Sequence, residues 1–139
     1  MTTRGRKPDQ TETAPNALTA VPDPPETLEA DGREEWHRAA DDLVQRGGLT
    51  PGALATLHHY CLAVARARAM EREIARLDSP FVQSDRSAPR MHPAYREMDN
   101  AVATARQLAG ELCLTPAGRA KLKTAPPDEA DGWDGLLGD

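Results

Sequence analysis

Four histidines and two cysteines are the residues whose side chains could bind a metal or act as nucleophiles. His58 and Cys61 are three positions apart, so a helix would place them on one face. A structural zinc site needs a second pair of ligands at a recognisable spacing, and the sequence has none. Cys61 also falls in an apolar stripe, where a buried thiol is usual. The chain has neither a phosphate-binding glycine loop nor a nucleophile motif. We therefore predict no metal, no cofactor and no catalytic residue.

Positive charge is concentrated in the middle of the chain. Residues 46–123 carry twelve basic and seven acidic side chains, a net charge of +5, whereas residues 1–45 and 124–139 each have a net charge of −5. A basic region of this kind suits contact with nucleic-acid phosphates. Aromatic residues do not alternate with the charges, which favours duplex DNA over single strands. The predicted DNA contacts are Arg4, Arg6, Lys7, Arg66, Arg68, Arg86, Arg90, Arg119, Lys121 and Lys123.

Helices are the elements predicted to carry these cations. Only five of the 139 residues are aromatic, and the apolar residues recur at helical spacing. The sequence predicts an all-α fold, in which a long antiparallel helical hairpin follows a shorter N-terminal helix and precedes a short basic helix. The connection over residues 78–92 is predicted as a loop with one possible strand fragment. The predicted helices run over about 29–46, 51–77, 93–112 and 116–123.

The tripeptide Leu-Thr-Pro occurs twice, once before the second helix and once before the short last helix. In each copy the threonine, Thr50 or Thr115, is placed to cap a helix whose first residue is proline. Leu49 and Leu54 have the spacing of a hydrophobic staple. The corresponding position in the second copy is Arg119, so the tripeptide marks helix starts and does not indicate a duplication.

The two ends of the chain differ in composition from the helical middle. Residues 1–28 are rich in proline and contain a basic cluster, which predicts a disordered basic arm. Residues 29–123 form the predicted helical domain for DNA binding and oligomerisation. Residues 124–139 are acidic and predicted to be disordered, and their apolar residues could bind a partner or fold back onto the domain. The partner-binding candidates are Trp133, Leu136 and Leu137. No apolar run is long enough for a membrane span.

Seven short motifs follow one another along nearly the whole chain. They are GRKP at 5–8, PDPPETL at 22–28, REEW at 33–36, GGLTPGAL at 47–54, YC at 60–61, HP at 92–93 and ELCLTPAGRAKL at 111–122. Together they resemble the phage terminase small subunit family of long-tailed phages and prophages, although this chain has Cys113 where the family usually has glycine. The resemblance implies a non-catalytic subunit that forms a homo-oligomeric ring in the cytoplasm of the bacterial host cell. It also implies two partners, double-stranded viral DNA and the large terminase subunit, an ATPase and nuclease.

Two other functions remain open from the sequence. Residues 29–77 have the outline of a helix-turn-helix, which would make the protein a dimeric transcriptional regulator. The second helix is long for a recognition helix, which favours a packing hairpin instead. The chain could also be a structural helical adaptor of virion assembly that does not bind DNA.

Overall fold

Four helices and one β-hairpin make up residues 14–124, the part of the chain that the computed structural model describes. All four predicted helices are present, within a few residues of their predicted ends, so the prediction of a mainly helical fold is confirmed. The elements are α1 (Ala30–Gln45), a 3-10 turn (Pro51–Ala53), α2 (Leu54–Ala75), β1 (Phe81–Ser84), β2 (Ser87–Met91), α3 (Pro93–Glu111) and α4 (Pro116–Thr124).

The connection between α2 and α3 corrects the all-α prediction. It contains an antiparallel hairpin in which Phe81 pairs with Met91 and Val82 with Arg90. Between the Val82 pair and the next pair, β2 uses one residue more than β1, and Pro89 lies at this bulge. A proline is tolerated at a bulge because a bulged residue need not donate to the ladder. All residues of both strands are exposed. The sequence therefore lacks the alternation of apolar and polar residues by which a half-buried strand is predicted.

Helix α1 forms where the apolar stripe was predicted. Trp36, Ala39, Ala40 and Leu43 are all buried on its inner face. The helix ends because Gly47 adopts a φ of 66°, a left-handed conformation that glycine takes without steric cost.

Helix α2 is the central element, with α1 and α3 both packed against it. Asp31, in the first turn of α1, lies 2.6 Å from Arg72, near the end of α2, so the two helices run antiparallel. A central helix is apolar on more than one side, and Leu57, Tyr60, Cys61 and Ala63 are all buried. At 22 residues, α2 is about 33 Å long. It therefore separates the hairpin from the end of the fold where α4 lies.

The two Leu-Thr-Pro copies begin their helices differently. Thr115 Oγ1 accepts a hydrogen bond from Gly118 N at 3.1 Å, as predicted for a cap. Thr50 makes no side-chain cap, and that prediction is wrong. The 3-10 turn explains the difference. In this turn, Ala53 N donates its hydrogen bond to the main-chain oxygen of Thr50, so it does not need the Thr50 hydroxyl as an acceptor. Leu49 is fully buried, as expected for a residue of a hydrophobic staple.

The turn between α3 and α4 has a geometry that favours glycine at two positions. Cys113 has a φ of 55°, a left-handed conformation that costs a residue with a Cβ roughly 1–2 kcal/mol. A Cβ on Gly118 would lie 3.0 Å from Cys113 Cα and 3.1 Å from the carbonyl oxygen of Gly110. Gly118, which has no Cβ, therefore allows the start of α4 to lie close to the end of α3.

Residues 14–28 pack against the helices, contrary to the prediction of a disordered arm as far as residue 28. Trp36 Nε1 donates a hydrogen bond to the carbonyl oxygen of Pro22 at 2.8 Å, and Leu28 is buried in the core. Prolines prevent a helix here, but they do not prevent an extended segment from packing. We call residues 14–28 the N-terminal strap. Residues 1–13 lie outside the described part of the chain.

Candidate nucleic-acid interface

The cations predicted to contact DNA lie on three different parts of the fold. Two are on α2, two on the hairpin and three on α4, so the structure does not bring them together on one element. Arg66 and Arg68 belong to α2, Arg86 and Arg90 to the hairpin, and Arg119, Lys121 and Lys123 to α4. Arg4, Arg6, Lys7 and the predicted partner-binding residues Trp133, Leu136 and Leu137 lie outside residues 14–124.

Arg68 is surrounded by carboxylates from α1. Its guanidinium nitrogens lie 3.7 Å from Asp31, 3.8 Å from Glu34 and 3.7 Å from Glu35. The neighbouring Arg72 hydrogen-bonds to Asp31, and this bond lowers the pKa of the Asp31 carboxyl. An arginine that already faces three carboxylates has little charge left for phosphate, so these contacts argue against the predicted role of Arg68.

Glu35 is the buried polar residue of the α1–α2 interface. Its carboxylate accepts hydrogen bonds from Tyr60 Oη at 2.6 Å and from Arg38, whose Nε lies at 3.0 Å. Burial opposes ionisation of Glu35, but the hydrogen bonds from Arg38 and Tyr60 and the nearby positive charges outweigh it and lower its pKa. Burial, with Glu35 beside it, raises the pKa of Tyr60 to about 12. This network joins the two helices, and its burial of Glu35 was not predicted, because Glu35 belongs to an acidic run.

Helix α4 is the element with the most one-sided charge. Its nine residues include three cations and no acid. Arg119 lies 3.4 Å from Asp42 of α1, and Arg46 lies 2.8 Å from the same carboxylate oxygen. One carboxylate therefore faces two guanidinium groups, so Asp42 neutralises only part of their charge. Arg119 thus keeps positive charge for binding phosphate, although it is ion-paired.

Besides Arg33, which donates a hydrogen bond to the carbonyl oxygen of Leu28, five exposed arginines make no ion pair with any carboxylate of the described residues. Three of them were predicted as DNA contacts, and the other two lie on α3. The five are Arg66, Arg86, Arg90, Arg96 and Arg106.

The residues first considered as metal ligands have other surroundings. Cys61 is fully buried, and burial raises the pKa of its thiol to about 12. The ring of His58 is hydrogen-bonded to Thr27 Oγ1 at 3.1 Å. Within residues 14–124, no three histidine, cysteine or carboxylate side chains converge as metal ligands would. In the same range, no helix has the length and apolar character that crossing a membrane requires.

Comparison with known proteins gives one match. The family model Terminase_4, described as phage terminase, small subunit, matches residues 32–129. The match covers well over half of the chain, from the first turn of α1 to beyond the end of α4. No curated protein matches significantly, and neither does any solved structure. The extent of the family match is decisive: the chain belongs to the phage terminase small subunit family.

Proposed function

We propose that this protein is the non-catalytic subunit that recognises viral DNA and recruits and regulates the large terminase during genome packaging. It acts as a homo-oligomeric ring in the cytoplasm of the bacterial host. The observation that carries the proposal is the family match over residues 32–129. A ring also strengthens weak phosphate contacts, because many subunits act on one DNA molecule.

The DNA-binding part of the proposal is centred on α4. This helix carries Arg119, Lys121 and Lys123 without an acidic residue, and the nearby Asp42 is shared between Arg119 and Arg46. Several cations on one helix that bind phosphates release counterions from DNA and give salt-dependent, sequence-independent affinity. Further phosphate contacts by Arg66, Arg86 and Arg90 stay predictions.

The helix-turn-helix alternative has less support from the geometry. A recognition helix lies across its neighbour and presents its N-terminal residues to the major groove. Here α1 lies along α2, and the contact between Asp31 and Arg72 joins the start of one helix to the end of the other. Leu57 and Tyr60, near the start of α2, are buried. One face of the first turns of α2 is thus occupied by packing within the subunit.

Replacing Arg119, Lys121 and Lys123 with alanine is expected to weaken binding to duplex DNA. The plot of log affinity against log salt concentration should become less steep by about one unit for each lost phosphate contact, up to about three for each bound subunit. Fluorescence anisotropy with a labelled duplex at several salt concentrations measures both quantities.

The matched control removes three other exposed arginines, none of them predicted to contact DNA: Arg76, Arg96 and Arg106. This control variant loses the same net charge as the α4 variant. If its plot of log affinity against log salt concentration has the slope of the wild type, the phosphate contacts are assigned to α4. Equal losses in the two variants would show that only net charge matters. A wild-type protein that does not bind duplex DNA would leave the structural adaptor as the better description.

Deleting residues 126–139 is expected to weaken capture of the large terminase while the number of subunits in the small-subunit assembly stays the same. The segment combines five acids with an apolar anchor, a composition that suits a peptide binding in a partner's groove. A pull-down with purified large subunit and light scattering measure the two properties. As a control, Trp133, Leu136 and Leu137 are changed to serine with every charge kept. Undiminished capture by both variants would refute the role of this segment.

A further inference from the structure

The hairpin makes no contribution to the core of its own subunit. Every residue of β1 and β2 is exposed, including Phe81 at 50 %, Val82 at 44 % and Met91 at 60 %. A two-stranded hairpin alone is at best marginally stable in water, and free sheet edges are prone to pair with other chains. These features indicate that the hairpin packs against something outside its own subunit.

Apolar side chains lie on both faces of the hairpin. Phe81 and Met91 are paired across the strands and share one face. The opposite face forms an open groove of Val82, Ser84, Ser87 and Arg90. A contact related by two-fold symmetry uses one patch on both subunits, whereas a head-to-tail contact uses two different patches on each subunit. The Phe81–Met91 face is apolar, whereas the groove has a single apolar residue, Val82, among polar ones. Two different faces of this kind suit a head-to-tail contact, which can close into a ring.

The charges of the hairpin region favour another copy of this chain as the partner. Asp78, Asp85, Arg86 and Arg90 are exposed and form no ion pair with the described residues. Two negative and two positive charges give this region no net charge, so the carboxylates of one copy can pair with the guanidinium groups of the next. The region is thus complementary to itself in charge.

We propose that the hairpins of neighbouring subunits pack on one another, with the Phe81–Met91 face of one copy seated in the groove of the next. The inference deepens the proposed function, because it gives the oligomer a contact surface distinct from the DNA-binding helix α4. The length of α2 separates the two surfaces, so assembly and DNA binding can be tested independently.

The test is the mass of the full-length protein in solution, measured without DNA by light scattering. A Phe81→Asp/Met91→Asp variant is expected to fall from the wild-type assembly to a species of few subunits. The matched control is Leu62→Asp/Val102→Asp, which changes two exposed apolar residues of the helices, at 37 % and 39 % exposure. It should keep the wild-type mass, and circular dichroism should show that both variants remain helical.

Cysteine cross-linking tests the direction of the contact. The background is Cys113→Gly, which leaves only the buried Cys61. A Met91→Cys protein mixed with a Ser84→Cys protein should form disulfide-linked dimers between the two variants in preference to dimers of either variant alone. Such pairing places one face of the hairpin against the opposite face of a neighbour.

Four results would overturn the inference. These are a monomeric wild-type protein, an unchanged mass for the hairpin variant, equal loss of mass in the helix control, and cross-links only between like positions. An unchanged mass combined with lost capture of the large terminase would give the hairpin a different partner. None of these outcomes depends on DNA affinity, so failure of the inference is distinct from failure of the DNA-binding proposal.

Discussion

A Glu35→Ala variant is expected to lose about 3 kcal/mol of folding free energy, because it removes the centre of a buried hydrogen-bond network. The side chain of Glu35 is 4 % exposed, and its carboxylate accepts hydrogen bonds from Tyr60 and Arg38. Without it, the Tyr60 hydroxyl proton has no acceptor among the described contacts of that residue. Arg38 is 60 % exposed and regains water, so Tyr60 and the lost packing account for most of the effect. Urea unfolding followed by circular dichroism measures the change.

The comparison with Tyr60→Phe separates the hydrogen bond from packing. Removing that hydroxyl alone should cost about 1–2 kcal/mol. The double variant should then lose less than the sum of the two single losses, because both changes break the same bond. Additive losses would mean that Glu35 and Tyr60 do not interact in solution.

The pH dependence of stability has a defined sign. The folded-state pKa of Glu35 lies below its ordinary value of 4.5, so its contribution is complete above that pH and is lost as the pH falls through the folded-state value. A Glu35→Gln variant should therefore lose less stability on acidification than the wild type. Tyr60 has its pKa raised to about 12 from 10, so its contribution is complete below pH 10 and is lost as the pH rises through 12. Tyr60→Phe should remove this alkaline loss.

Trp36→Ala is expected to destabilise the protein by about 3–5 kcal/mol, a large share of the 5–15 kcal/mol typical of a domain. The indole is buried at 2 % exposure, and its N–H donates to the carbonyl oxygen of Pro22 in the N-terminal strap. The substitution therefore leaves a cavity in the core and releases the strap. Thermal unfolding followed by circular dichroism measures the loss.

Trp36→Phe is the matched control, since it keeps an aromatic ring and removes the hydrogen bond to Pro22. It should cost about 1–2 kcal/mol, and limited proteolysis should cut the N-terminal strap faster than in the wild type. Equal losses for the alanine and phenylalanine variants would show that the cavity is unimportant. Unchanged proteolysis would show that the indole does not hold the strap.

The local parts of this fold were predictable from the sequence. The stripe of Trp36, Ala39 and Leu43 repeats at helical spacing, and each of these residues is buried as that spacing requires. Gly47 ends α1 by adopting a left-handed conformation. This helix end depends only on residues that are close together in the sequence. Such features are encoded within one or two helical turns, and a single sequence is enough to identify them.

Features that depend on contacts between distant residues were not predictable. Glu35 lies in an acidic run that should face water, and it is buried only because α2 brings Tyr60 to it, 25 positions along the chain. Arg68 was predicted to contact DNA, but the antiparallel packing of α1 places Asp31 beside it. The strap was missed because prolines exclude a helix without excluding packing. The cations of α4 could be identified from composition. That Arg119 and Arg46 both contact Asp42 could be seen only in the structure.

The exposure of the hairpin also has an evolutionary consequence. No residue of β1 or β2 is buried, so this segment can change without cost to the core of the subunit. If neighbouring copies recognise one another through it, a few substitutions there could make two related proteins incompatible while both still fold. Two phages that infect the same cell could then keep their small subunits in separate assemblies, and hybrid rings would not form.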